Sequence, residues 1–166
     1  MPISDDFKEL KDAIYRQVTL LIQGYGATTN QCSNDPYIIG FLVGMSVAII
    51  IKYADERCQS RIESATAHNL ILQALEEALG SRSIPAMQTF LQEQALQYQI
   101  GRERGLKAGS VMLGLSHYDD DSEVKRIKEF ITNSNLCNDN TLVGGVFIAD
   151  YFYGYVRDKY SSLNLD

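Results

Sequence analysis

Residues 37–51, YIIGFLVGMSVAIII, run without a charged or strongly polar side chain, and charge returns only at Lys52. Such a stretch has two possible surroundings, the interior of a protein or the interior of a bilayer, because water offers nothing to so uniform an apolar surface. A helix that spans a hydrocarbon core of about 30 Å needs about 20 apolar residues. This run is shorter, and the segments around it are amphipathic. It therefore predicts a buried central helix with the rest of the chain wrapped round it. The competing reading is a membrane-inserting hairpin held inside a soluble bundle.

The run carries an internal pattern. Tyr37, Gly40, Gly44 and Ala48 follow one another at three, four and four, and Tyr98, Gly101, Gly105 and Gly109 repeat those spacings 61 residues later. Glycine inside a helix costs up to about 1 kcal/mol against alanine, so two matched pairs predict a notch where backbones approach closely. Gly40, Gly44, Gly101 and Gly105 are accordingly read as helix-packing positions that meet each other, a second copy or a flat ligand. The echo is also compatible with duplication of a helical hairpin, although the flanking residues share little. Gly144, Gly145, Ala149 and Gly154 extend the use of small residues without the same spacing.

Helical periodicity accounts for most of the remaining chain. Over 4–26, Phe7, Leu10, Ile14, Val18, Leu21 and Tyr25 recur on one face, and Gly24 and Gly26 supply the stop. Residues 27–34 are polar and predict a loop. Asp35-Pro36 is a strong helix start, with aspartate as the cap and proline in the first turn. Ser60-Arg61-Ile62-Glu63 matches a capping box and predicts a break near 58–60, followed by a helix over 61–79 that ends at Gly80. One further helix is predicted from 84 to 115. A short one is expected over 122–132, capped by Asp121 or Ser122, and a last one over 141–160. The expectation is an all-α, single-domain bundle, 1–166, of about six helices around the apolar helix at 37–51.

Charge and cysteine content narrow the surroundings. A net charge of -6 makes the chain a poor ligand for phosphate backbones, whose affinity for proteins rests on Lys and Arg displacing counterions, so nucleic acid is not an expected partner. Cys32, Cys58 and Cys137 are odd in number, widely spaced and without a C-x-x-C pair, which fits reduced thiols in a cytoplasm better than a disulfide framework or zinc ribbon. No basic and then apolar leader opens the sequence.

Material for catalysis is sparse. The two histidines, His68 and His117, leave little for acid–base chemistry or a zinc site. The run His117 to Glu123 concentrates oxygen ligands but lacks alternating D-x-D-x-D-G spacing, and a solvated loop capping the next helix explains the same residues. Residues 101–109 lack the order of a phosphate-binding loop, and the E-x-x-H pairs of di-iron bundles are absent. No catalytic residue, cofactor site or metal site is assigned. An anion, if bound, would fall to Arg102, Arg104 and Lys107.

The last helix concentrates aromatics around its circumference, more than one core-facing stripe absorbs. Tyr151, Tyr153, Tyr155 and Tyr160 are therefore the candidate surface for a partner or a dimer, since tyrosine offers rigid apolar area with a polar tip. The functional expectation is a non-enzymatic helical binding protein of adaptor, chaperone-like or inhibitor and immunity type, acting on another protein and on itself as a homodimer. The alternatives are a small-molecule or enzymatic pocket between 36–57 and 84–115, lined by Tyr37, Tyr98 and Arg102, and membrane association through 37–51.

Overall fold

The computed structural model of the chain describes residues 5–58, 62–93, 95–134 and 139–160, and among them there is helix and no strand. The elements are α1 (Asp5–Gly24), α2 (Thr29–Asn34), α3 (Pro36–Tyr53, continued by a π-helical turn, Ala54–Cys58), α4 (Ser64–Leu79), α5 (Ser83–Gln92) and α6 (Leu96–Met112). A 3₁₀ turn, Ser116–Tyr118, leads to α7 (Ser122–Asn133). The last described residues form one continuous rod, α8 (Asn140–Ile148), a π-helical turn (Ala149–Tyr153) and α9 (Gly154–Tyr160). The all-α bundle expected from periodicity is what forms.

The apolar helix lies at its centre. From Tyr37 to Ser46 every residue of α3 is buried, and Ser46, the one hydroxyl among them, donates back to the Leu42 carbonyl at 2.7 Å. Pro36–Arg57 is long and apolar enough by length and composition to cross a membrane, but 67% of its most apolar window is covered by protein. Burial of such side chains is worth about 25 cal/mol per Å² of apolar surface removed from water, so α3 anchors the fold. α6 lies along one side of it, α1 and α4 pack together beside it, and α8 closes against α6. The α1 residues Leu10, Ile14, Val18 and Leu21, at the spacing seen in the sequence, are all in the core.

Three boundaries differ from expectation. The polar stretch 27–34 contains α2, stabilised by a reciprocal capping box in which Thr28 accepts from the Gln31 amide and Gln31 accepts from the Thr28 amide. The helix expected over 84–115 is two helices, because α5 packs against α4 while α6 must follow α3, and a single straight rod cannot do both. The Ala95 amide closes the end of α5 on the Phe90 carbonyl at 3.1 Å. The capping box expected at Ser60 falls outside the described residues, and α4 starts after Glu63, which makes no side-chain cap. Asp35, Asp121 and Asp139 do cap their helices, each accepting from amides of the first turn.

Candidate functional site

The two glycine notches face each other. A Cβ at Gly40 would collide with the Tyr98 carbonyl and lie 2.9 Å from the Arg102 nitrogen, and one at Gly44 would collide with the Arg102 carbonyl. The relation is reciprocal: a Cβ at Gly101 would meet the Tyr37 carbonyl, and one at Gly105 the Phe41 carbonyl. Since 98 and 102 are 37 and 41 displaced by 61, α3 and α6 run parallel and in register about a local pseudo-two-fold axis. Each glycine Cα–H points at a carbonyl of the other helix, an arrangement found at close helix contacts. The notch is a closed, dry seam with no room for a flat ligand.

The terminal tyrosines are mostly spent inside the chain. Asp35, whose side chain is 0% exposed, caps α3 through the Tyr37 and Ile38 amides at 2.9 and 3.2 Å. It also receives the hydroxyls of Tyr155 and Tyr160 at 2.9 and 2.6 Å and the Lys159 ammonium at 2.8 Å. Burial works against its charge, but Lys159, Tyr160, the Ile38 amide and Tyr155 together hold it below the usual carboxylate range. The Tyr155 ring stacks on Tyr37 at 4.0 Å, and the Tyr37 hydroxyl donates to the Tyr151 carbonyl at 2.7 Å. The result is a clamp that ties α9 to the start of α3. The expected outward surface of four tyrosines is corrected by this geometry: Tyr151 is buried, Tyr155 and Tyr160 are half-buried on Asp35, and Tyr153 alone is exposed. The physical reason is that a buried carboxylate needs donors, and these three residues and Lys159 supply or position them.

The basic residues of α6 are not gathered into one anion site. Lys107 pairs with Asp121 and Glu123, both at 2.9 Å, and those two hydrogen bonds raise its pKa against the opposing effect of burial. Glu123 also accepts from the Tyr151 hydroxyl at 2.8 Å, and burial together with that carboxylate pushes the phenol up to about 12. Arg104 lies on the other side of Tyr151, 5.0 Å from its ring centre, and reaches the Tyr37 hydroxyl at 3.3 Å. Arg102 points elsewhere, beside Tyr98. In the acidic loop Asp121 serves as cap and ion-pair partner, Asp120 lies 3.6 Å from Lys125, and Asp119 is 4.0 Å from Lys128. Among the described residues no three His, Cys, Asp or Glu side chains converge as a metal-binding group.

Among the described residues, two apolar surfaces stand apart from this network. The first is an apolar groove of about 420 Å³ between α7 and α8, lined by Arg126, Ile127, Phe130, Ile131, Leu142 and Val146. Phe130 is 69% exposed there, with Leu142 at 40% and Val146 at 38%. By spacing, Phe130 belongs with Val124, Ile127 and Ile131 to the apolar side of an amphipathic α7. It is turned out because Val124 and Ile131 already fill the contact with the core, and no pattern within α7 indicates that α8 covers only half of the stripe.

The second surface is a cleft of about 430 Å³ between α3, α4, α5 and α6, with Val43, Val47, Ala67, Ile71 and Met87 as its apolar wall. It adjoins an outer hollow of about 470 Å³ that includes Phe90, Glu103 and Leu106. Leu91, Tyr98 and Arg102 line both. Thus Tyr98 and Arg102 do border a cavity between the two expected helices, while Tyr37 sits on the opposite side of the seam in the Asp35 clamp. Burial raises the Tyr98 pKa, and the positive charge of Arg102 opposes the rise.

Compared with protein-family models, with curated proteins and with solved structures, the chain matches none.

Proposed function

We propose that this chain is a helical binding protein that acts by contact rather than by catalysis, in the cytoplasm, and that the α7–α8 groove is the contact surface. The observation that carries the reading is Phe130, a large aromatic side chain standing mostly in solvent beside Leu142 and Val146. Contiguous apolar area of this kind, edged by charge, is characteristic of interaction surfaces.

The occupant that fits is a second copy. On the α7 surface Arg126 and Glu129 flank Phe130, and neither has an ion-pair partner among the described residues. When two α7 helices cross antiparallel about a two-fold axis near the middle of the helix, Arg126 of each copy faces Glu129 of the other, and each Phe130 reaches the opposing groove. Such an isologous arrangement uses one patch twice. The charge pattern on α7 is therefore self-complementary.

Light scattering is expected to give about twice the chain mass of 18.6 kDa. Phe130→Asp should return the protein to a monomer, Arg126→Glu should weaken association, and Arg126→Glu combined with Glu129→Arg should restore it. A monomer at tens of micromolar, or a dimer indifferent to Phe130→Asp, refutes the proposal.

A further inference from the structure

We propose that the cleft between α3, α4, α5 and α6 binds a small amphipathic carboxylic acid, with its apolar body among Val47, Ile71, Met87 and Leu91 and its carboxylate on Arg102 and Tyr98.

Size and wall chemistry come first. A cavity of about 430 Å³ falls within the range of small-ligand pockets, roughly 300–1,000 Å³. Most of its wall is aliphatic, so an apolar ligand body displaces water from that part favourably. Leu91, 44% exposed at the junction with the outer hollow, is a further apolar surface that such a ligand would cover.

Ser64, His68, Tyr98 and Arg102 are the polar side chains of the cleft, and of these Tyr98 and Arg102 also border the outer hollow. The Tyr98 residue is only 4% exposed, held by packing against the α3 seam, yet its hydroxyl has no hydrogen-bond partner among the described residues. Arg102, one helical turn further along α6, has no ion-pair partner among them either. A phenol fixed by its own burial and a guanidinium free to fork are the donors that a carboxylate accepts from two directions. Lys107 and Lys159, by contrast, are already committed to carboxylates. Position along the cleft matters too. Glu103 lines only the outer hollow, so a negative head group is favoured at the Arg102 and Tyr98 junction and disfavoured beyond it. The ligand class is thus one acidic head on one apolar body.

The test uses three ten-carbon probes, decanoate, decanol and decylamine, each titrated below its aggregation limit into ¹⁵N-labelled full chain. Decanoate should give saturable amide shifts in α4, α5 and α6, with affinity roughly tenfold or more above decanol, and decylamine should bind weakest. Arg102→Gln, at an exposed helical position, should lower decanoate affinity to the level of decanol while leaving decanol unchanged. Tyr98→Phe should weaken decanoate several-fold with the fold intact by circular dichroism. Ala67→Trp should block all three probes. Absence of saturable shifts, equal affinity for acid and alcohol, indifference to Arg102→Gln, or shifts confined to the α7–α8 groove would each overturn the proposal. The groove outcome would place the acid beside Arg126 and leave the association experiment above unaffected.

Discussion

Replacing Gly44 with alanine adds one methyl group, and the geometry of the seam sets what that methyl group does. In an unconstrained helix the change is favourable by up to about 1 kcal/mol. At Gly44 the new carbon would collide with the Arg102 carbonyl and stand 2.6 Å from the Leu106 nitrogen, whereas ordinary contact begins at 3.4 Å. The backbones must part by at least about 0.8 Å, the difference between those distances, and a gap of that order forfeits a quarter to a half of each dispersion contact along the seam. Backbone cannot swing aside as a side-chain tip can, so the overpacking cost belongs at or above the upper end of the usual range, about 3 kcal/mol. Net of propensity, Gly44→Ala should destabilise the chain by about 2 kcal/mol and lower Tm by about 4–8 °C. Gly44→Leu should cost several kcal/mol more. Gly145 is the control: it is also helical, but a Cβ there meets nothing within 4 Å, so Gly145→Ala should leave stability unchanged or raise it by up to about 1 kcal/mol. Urea unfolding followed by circular dichroism measures both, with an unchanged denaturant slope as the check that only stability moved. A Gly44→Ala protein as stable as the parent, or two variants with the same sign, would refute the closed seam and reopen a ligand or second copy at the notch.

Two further outcomes follow from the Asp35 clamp and its neighbour. Asp35→Ala removes a helix cap and leaves the Tyr155 and Tyr160 hydroxyls without their acceptor, so a loss of about 3 kcal/mol is expected in urea unfolding at pH 7. Because the folded pKa of Asp35 is lowered, its contribution is fully present above the unfolded value of about 3.9 and is lost as pH falls through the folded value; Asp35→Ala should therefore flatten the acid limb of the stability profile, and an unaltered limb would show that Asp35 is not the group responsible. Cys32 is fully buried, and burial followed by the charge of Asp35 pushes its thiol up to about 12, so iodoacetamide at pH 8 should leave it unmodified in the native chain and label it after denaturation, as read by peptide mass mapping.

Much of the fold is legible in local pattern. The three-and-four spacing of Leu10, Ile14, Val18 and Leu21 marks a face, and Asp35-Pro36 marks a start, because helix geometry and capping depend on residues within one or two turns. The break after Gln92 carries no such mark: the surrounding residues are good helix formers, and α5 and α6 separate only because their partners, α4 and α3, lie in different directions. The candidate sites divide in the same way. Tyr98 and Arg102 are visible as a pair one turn apart on a notched helix, but that their donors are left unpartnered beside an apolar cleft depends on where α4 and α5 fall.

The apolar run at 37–51 shows the division most plainly. Its lack of charge determined that it avoids water, and the glycine spacing repeated after 61 residues determined that something comes close. Only the tertiary structure decided that the two notches close on each other in parallel, with Gly40 against Tyr98 and Gly101 against Tyr37. It likewise decided that the terminal tyrosines turn inward to Asp35 while Phe130 turns out. Composition and period specify which face of a helix avoids water; which neighbour covers that face is settled by long-range packing and by the need of one buried carboxylate for donors from far along the chain.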